Sequence, residues 1–410
     1  MQKTRLCLAY LWLASVGFVA CEHTPLSPGK PISRELTALE KRLVESDNKF
    51  GFKLFREVIR TESGKGRNVF ISPLSVSMAL GMTLNGAAGI TREAMQTALE
   101  LEGMTTEEIN QSYKSLIALL VQLDPKVKFK IANSIWHRDD YTFEPGFINL
   151  NKTFFNATVR GLDFADPRTK DIINAWVREN TSGLIDKIVD EIERDQVMFL
   201  INAIYFKGIW SYQFDPAQTR DDLFIAPDGT TKPCKMMHLQ GDLRYFENAS
   251  FQAVDLTYGD AGFSMTILLP RVRDQVDSLI AALTAETWES WKGDFSAQKV
   301  ELAMPKFTMQ YDIKLNDVLA VMGMGIAFTD SADFSGMYKP GGLRIDEVKH
   351  KTFVKVDEEG TTAAAVTSVG MIETSLPQVV SMRLDHPFVF AIRANHSPTI
   401  LFIGKLVTPG

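Results

Sequence analysis

The sequence predicts an α+β fold. Segments with helical periodicity crowd the first half of the 410-residue chain, and strand-like apolar runs dominate the second half. That segregation argues against alternating βαβ units around a parallel sheet. No internal repeat and no Pro/Gly/Ser-rich linker interrupts the chain after Pro31, so residues 34–410 are expected to form one domain above the usual size.

Residues 33–61 predict an amphipathic helix, because Leu36, Leu39, Leu43, Phe50, Leu54 and Val58 recur at three- and four-residue steps. Gly64 and Gly66 end it. A short strand at 69–71 runs into Ser72-Pro73, which suits a helix start with proline in the first turn. The helix that follows is apolar nearly all round and is expected to be buried. Its Ser, Gly and Ala residues imply close packing against a backbone. Helices follow at 91–100, with Thr91 as its cap, and at 106–123. Strands at 127–136 and 157–163 flank a helix at 147–155, and another helix covers 171–185. Strands are then expected at 197–206, 263–269, 300–305 and 307–310, followed by a short helix at 316–324. An alternating strand at 344–356 contains His350, and two strands at 388–393 and 399–406 close the chain.

Composition is ordinary for a globular protein, 45% hydrophobic and 23% charged. The net charge of −6 and the lack of a basic block argue against a nucleic-acid partner. Residues 1–20 read as a processing signal: Lys3 and Arg5, an apolar run from 6 to 19, then Ala20 before Cys21. The run is too short for a spanning helix. It resembles a bacterial lipoprotein signal, in which the cysteine becomes the lipid-bearing N-terminus, although Phe18 stands where leucine is usual. Cys21 is therefore the expected lipid anchor, residues 21–33 a proline-containing tether, and the lipid the only membrane contact. The protein is expected to be exported, and either anchored in the outer membrane or at the cell surface, or secreted.

Cys7 leaves with the signal, so Cys234 is a lone thiol without an intramolecular disulfide. Lys232, Lys235 and His238 could activate it as a nucleophile, but an incidental thiol on a strand is the plainer reading. The six histidines lack metal-ligand spacing, and G-x-S-x-G, H-E-x-x-H and phosphate-loop motifs are absent. Neither a metal, a cofactor nor an enzymatic activity is expected. Lys126, Lys128 and Lys130 line one strand face, read as a solvated face with a polyanion site as the alternative.

Residues 358–376 stand apart. From Gly360 to Ile372 there is no charge and no proline. The stretch is too poor in β-branched and aromatic residues for a core strand, too rich in Thr, Val, Ser and Gly for a helix, and too poor in Gly for a flexible linker. It can become a strand at every position without losing a backbone donor. It reads either as a surface loop or as a segment exposed in one state and strand-paired in another.

N-V-F-I-S-P-L-S at 68–75, N-A-I-Y-F-K-G-I-W at 202–210, M-T-I-L-L-P at 265–270, F-V-K-V-D-E-E-G-T-T-A-A-A at 353–365 and D-H-P-F-V-F-A-I-R at 385–393 resemble segments of the serpins, the serine protease inhibitor family. The nearest comparison is with bacterial, miropin-like lipoprotein members. The similarity runs from about residue 36 to 409, with the motifs in family order. It implies the serpin fold: a large, mostly antiparallel main sheet, further sheets, a set of helices and an exposed reactive loop at about 358–380. It also implies a suicide mechanism. A serine protease cleaves the loop and is acylated by it, and the freed loop inserts into the main sheet before the ester can be hydrolysed. Serine proteases in covalent complex are thus the expected partners, with cross-inhibition of cysteine proteases possible and the chain a monomer. A non-inhibitory serpin acting as a surface binding protein is the alternative.

The resemblance assigns the hinge to Glu358, Glu359, Gly360, Thr361, Thr362, Ala363, Ala364 and Ala365. Their small, uncharged leading side chains suit entry into a sheet. Counting from the hinge places the reactive bond at Thr374-Ser375, with Val369, Met371, Ile372 and Glu373 as secondary bait. Thr before the cut suits elastase-like and subtilisin-like proteases. No Lys or Arg lies between Val356 and Met382, so a trypsin-like pocket finds nothing to bind. Ser72, Ser75, Asn202 and His350 match the family's polar group beneath the point where the sheet opens. Trp210 matches the tryptophan beneath the point of loop entry.

Overall fold

In the computed structural model, residues 34–361 and 379–409 are described. The first half supplies α1 (Ala38–Thr61), β1 (Val69–Ile71), α2 (Pro73–Leu84), α3 (Gly89–Ala98), α4 (Thr106–Val121), β2 (Val127–Arg138), α5 (Pro145–Phe155), β3 (Thr158–Leu162), α6 (Thr169–Asn180) and β4 (Met198–Ile209). The second supplies β5 (Arg220–Ile225), β6 (Thr231–Glu247), β7 (Phe251–Tyr258), β8 (Phe263–Pro270), α7 (Val276–Ala281), α8 (Ala285–Gly293), β9 (Ser296–Pro305), β10 (Phe307–Lys314), α9 (Asn316–Leu319), β11 (Lys349–Asp357), β12 (Gly360–Thr361), β13 (Val380–Arg383), β14 (Phe388–Ala394) and β15 (Ile400–Leu406).

The strands make two sheets. A nine-stranded sheet runs β1-β15-β14-β8-β7-β6-β9-β13, with β5 paired to β6, and a six-stranded sheet runs β10-β11-β12-β4-β2-β3. Only β2–β3 and β9–β13 pair in parallel among the described strands. The large α+β fold expected from the sequence is therefore present. Helix α2 lies between the sheets, touching β4 of one and β15 of the other, which explains why it is apolar on every side. Its approach to α1 is close enough that a β-carbon on Gly51 would meet the Pro73 ring at 2.8 Å. Helix α6 covers the opposite face of the six-stranded sheet, packing Ile173 and Val177 with Trp136 of β2 and Ile201 of β4.

Several expected boundaries move. Thr91 is not a cap: α3 starts at Gly89, and the Thr91 hydroxyl accepts the Asp333 N–H (2.8 Å), anchoring a distant loop. The helix expected to reach residue 185 stops at Asn180. There Thr181 donates to the Val177 carbonyl and accepts the Ile185 N–H, turning the chain through Ser182 and Gly183 at positive φ. Residues 344–348 are not strand, and β11 begins at Lys349. The β5–β6 hairpin, β7, β13 and helices α7 and α8 were not legible, because their apolar residues alternate with charges too irregularly for a clean period. Cys234 lies on β6 and is buried, and burial pushes its thiol up, opposite to what an activated nucleophile needs.

One buried charge site lies among the helices. Asp47 of α1 is enclosed by α2 and α4; the Tyr113 hydroxyl donates to its Oδ1 (3.0 Å), and its buried Oδ2 has no partner among the described residues. Burial pushes this carboxyl up to about 7. A raised carboxyl favours the fold below the unfolded value near 4, and that contribution is lost as pH rises through about 7. Asp47→Asn should therefore raise the thermal midpoint at pH 8, by stability on the order of a few kcal/mol, and change it little at pH 4. Melting curves of both chains across that range check this; an equal gain at both ends would refute it.

Candidate functional site: a slot in the six-stranded sheet

The site is built where β4 and β11 approach each other. β12 is only two residues long and bridges the pair at one end. Gly360 and Thr361 pair with Asp357 and Val356 of β11 on one side and with Ile209 and Gly208 of β4 on the other. Beyond Thr361, no described strand pairs the facing edges of Met198–Phe206 and Lys349–Lys355. A cavity of about 460 Å³ opens between them, lined among others by Ser72, Ser75, Ile201, Asn202, His350 and Thr361.

Backbone geometry explains the glycine at the entry. Gly360 has φ +148°, and a β-carbon there would sit 2.1 Å from the Gly208 carbonyl oxygen. Only glycine allows this approach. Trp210 is buried beneath it. Its backbone N–H donates to the Glu359 carbonyl (2.8 Å) and its indole N–H to the Asp357 carbonyl (3.0 Å). Tyr258 stacks on the Trp210 ring (4.3 Å between centroids) and meets the Thr361 hydroxyl at 2.8 Å. Glu358 is held by Lys306 (2.7 Å) and by the Thr219 hydroxyl (2.8 Å). Burial alone would push this carboxyl up, but those partners outweigh it and hold it below the ordinary value. Tyr258, Lys306 and Thr219 were not singled out in the sequence, which carries no signal that three such distant residues converge on the hinge.

The floor of the slot is the first turn of α2. The Ser72 N–H donates to His350 Nε2 (2.9 Å), the Ser72 hydroxyl to the Leu401 carbonyl (2.6 Å), and the Ser75 hydroxyl to the Asn202 carbonyl (3.3 Å). One helix end thereby grips both strands that flank the slot. Asn202 also donates to Asn133 Oδ1 (2.7 Å) of β2. Ser72, Ser75, Asn202 and His350 all lie at this floor. Since His350 Nε2 accepts a hydrogen bond, the ring is neutral with its proton on Nδ1.

The other face is strapped. The chain after α6 is tied to that helix by Asn174, which bonds the backbone of Ile188 and Val189. It crosses to β11, where Lys351 donates to the Lys187 carbonyl (3.0 Å) and Lys349 lies 3.5 Å from Asp190. Thr362, Ala363, Ala364 and Ala365 of the hinge, the bond Thr374-Ser375 with its secondary bait, and Cys21 all lie outside the described residues. Lys128 and Lys130 are exposed on β2, and Lys126 pairs with Asp260 (2.5 Å).

The serpin family model (serine protease inhibitor) matches residues 45–409. The chain belongs to the serpin family. It is 34% identical to an uncharacterised serpin-like protein of Thermococcus kodakarensis, over 90% of this chain and 86% of that one. It is 32% identical to human neuroserpin, over 85% and 87%. Among solved structures it superposes on tengpin, a thermophilic serpin in the native state, with TM-score 0.83 at 32% identity, covering 93% of this chain and 97% of the other. Human thyroxine-binding globulin, solved in complex with thyroxine, gives 0.82 at 27% identity, covering 91% and 100%. β12 lies at the entry of the slot between β4 and β11. Serpins in general inhibit serine proteases by that suicide mechanism.

His350 gives the slot a pH dependence. Burial pushes the imidazole down to about 4. The neutral ring stabilises the fold fully above the unfolded value near 6.5, and that contribution is lost as pH falls towards about 4. Between pH 7 and pH 4 this amounts to roughly 3 kcal/mol. His350→Gln can still accept the Ser72 N–H, so its thermal midpoint should fall less over that interval than the wild type's; parallel curves would refute the assignment.

Proposed function

We propose that this serpin is an inhibitor that traps elastase-like and subtilisin-like serine proteases, with Thr374-Ser375 as the principal bait. The hydroxyl of the protease serine attacks the Thr374 carbonyl. The amide bond to Ser375 breaks, its nitrogen leaves protonated as a new N-terminus, and an ester joins Thr374 to the enzyme. Water would hydrolyse that ester and free the protease, unless insertion of the cleaved loop distorts the enzyme first. About fifteen residues at roughly 3.3 Å each make a strand of about 50 Å, long enough to carry an acylated protease from one pole to the other.

The observation that carries this reading is β12. Gly360 and Thr361 already occupy strand positions between β11 and β4, and the slot continues in the direction the loop would extend. The residues that follow, Thr362 to Val369, bring no charge or proline into it. Export, a lipid on Cys21 and a monomeric state belong to the same proposal, and labelling with a radioactive fatty acid, lost in Cys21→Ser, tests the anchor.

Mixing the mature protein with pancreatic elastase, subtilisin and trypsin and running SDS gels tests the function. A covalent band is expected with the first two and not with trypsin. Cleavage with full recovery of protease activity would instead make the chain a non-inhibitory binding protein. A stable trypsin complex would sink the bond assignment. Thr361 is buried, so Thr361→Arg puts an unpaired charge at the head of the inserting strand. Cleavage should persist and the covalent band should vanish.

A further inference from the structure

The contact between Tyr258 and Thr361 joins the hinge to a residue that the inhibitory scheme does not otherwise use. Tyr258 ends β7, in the other sheet from the hinge. Its ring is fully buried, fixed by the stack on Trp210 and by an edge contact with Phe206 (5.0 Å). Gly208 of β4 leaves room for it: a β-carbon there would lie 2.8 Å from the tyrosine ring. The phenol therefore has one orientation, and its hydroxyl points to the leading residue of the loop. Thr361 is its only hydrogen-bond partner among the described residues. If Thr361 left the sheet, a buried hydroxyl would be orphaned, which is costly.

We propose that Tyr258 is a positioning residue that clasps the hinge in the sheet before cleavage, so that loop insertion starts from a strand already nucleated at Thr361. Nucleation matters because insertion races ester hydrolysis. A strand whose first two residues are paired has only to propagate, whereas a free one must first close a loop and order its leading residues. Tyr258 thereby sets the fraction of encounters that end in a trapped protease rather than in a cleaved serpin. Its hydrogen bond is to the hinge residue Thr361, so it should set the outcome of an encounter and not which protease is caught.

This inference rests on the inhibitory reading for its functional consequence, but the clasp itself can be measured without a protease. Hydrogen exchange of the Gly360 and Thr361 amides, followed by mass spectrometry, should speed up about two- to tenfold in Tyr258→Phe, the loss expected for one net hydrogen bond. The stoichiometry of inhibition against pancreatic elastase should rise with it, with cleaved, uncomplexed chain accumulating, while the rate of the initial cleavage stays unchanged. Thr361→Val should also weaken the clasp, and the double variant should add nothing to Thr361→Val alone, which a purely structural role for the tyrosine would not produce. Unchanged exchange at these two amides, or a fall in thermal midpoint with unaltered partition between trapped and cleaved chains, overturns the proposal. Should the wild type trap no protease, the inhibitory reading falls, and the exchange comparison alone upholds or overturns the clasp.

Discussion

Two strand edges that face each other, with no ladder between them beyond β12 among the described residues, govern this fold. Backbone N–H and C=O groups are obligatory hydrogen-bonding groups, and a sheet edge is a template for another strand. In β4 and β11 those edges are turned inward, towards the 460 Å³ cavity, and among the described residues only Gly360 and Thr361 pair between them. A ladder of about ten bonds, each worth roughly 1 kcal/mol net, would approach the whole stability of an ordinary domain. On the proposed mechanism, a deeper arrangement would become available to this fold once a strand of suitable chemistry is released.

What keeps the edges apart is polar and local. Ser72 and Ser75 belong to one helical turn, and they grip β11 through His350 and β4 through the Asn202 backbone. A rigid helix end sets a fixed distance between two strands more reliably than loops could. On the other face the chain after α6 spans the same two strands through Ile201 and Lys351. The slot thus has a floor and a roof, both held by interactions that would have to rearrange for a strand to enter. Hydrogen bonds serve this purpose better than apolar packing does, because they can be exchanged one for one with the bonds of the new strand.

Much of this was legible in the sequence, for reasons that differ from residue to residue. The apolar surround of α2 follows from its being packed between two sheets, and a helix apolar on all sides has few other places to go. Gly360 stood out because a lone glycine between charged residues and a small-residue run marks a backbone constraint, and the 2.1 Å approach to Gly208 supplies it. Ser72, Ser75, Asn202 and His350 came from resemblance; their spacing along the chain could not have brought them together. Glu358, Lys306 and Thr219 converge through three separate connections, and a carboxylate-ammonium pair across such distances leaves no trace in periodicity. The β5–β6 hairpin was missed because its faces are half solvated and its charges interrupt the alternation on which a strand assignment depends.

Titration adds a constraint of its own. His350 and Asp47 are both buried, and burial moves them in opposite directions, the imidazole down and the carboxyl up, so each favours its neutral form. Acid therefore costs stability at the slot through His350, and alkali costs it among the helices through Asp47. α2 lies between the two, bonded to His350 through Ser72 and packed near Asp47 through Ser77. The helix that sets the separation of β4 and β11 thus has, along its N-terminal half, two neighbours that exchange protons over overlapping ranges, about 4 to 7, with opposite effects on stability. Readiness to accept a strand is then a property of the helix beneath the sheet as much as of the loop that would enter it.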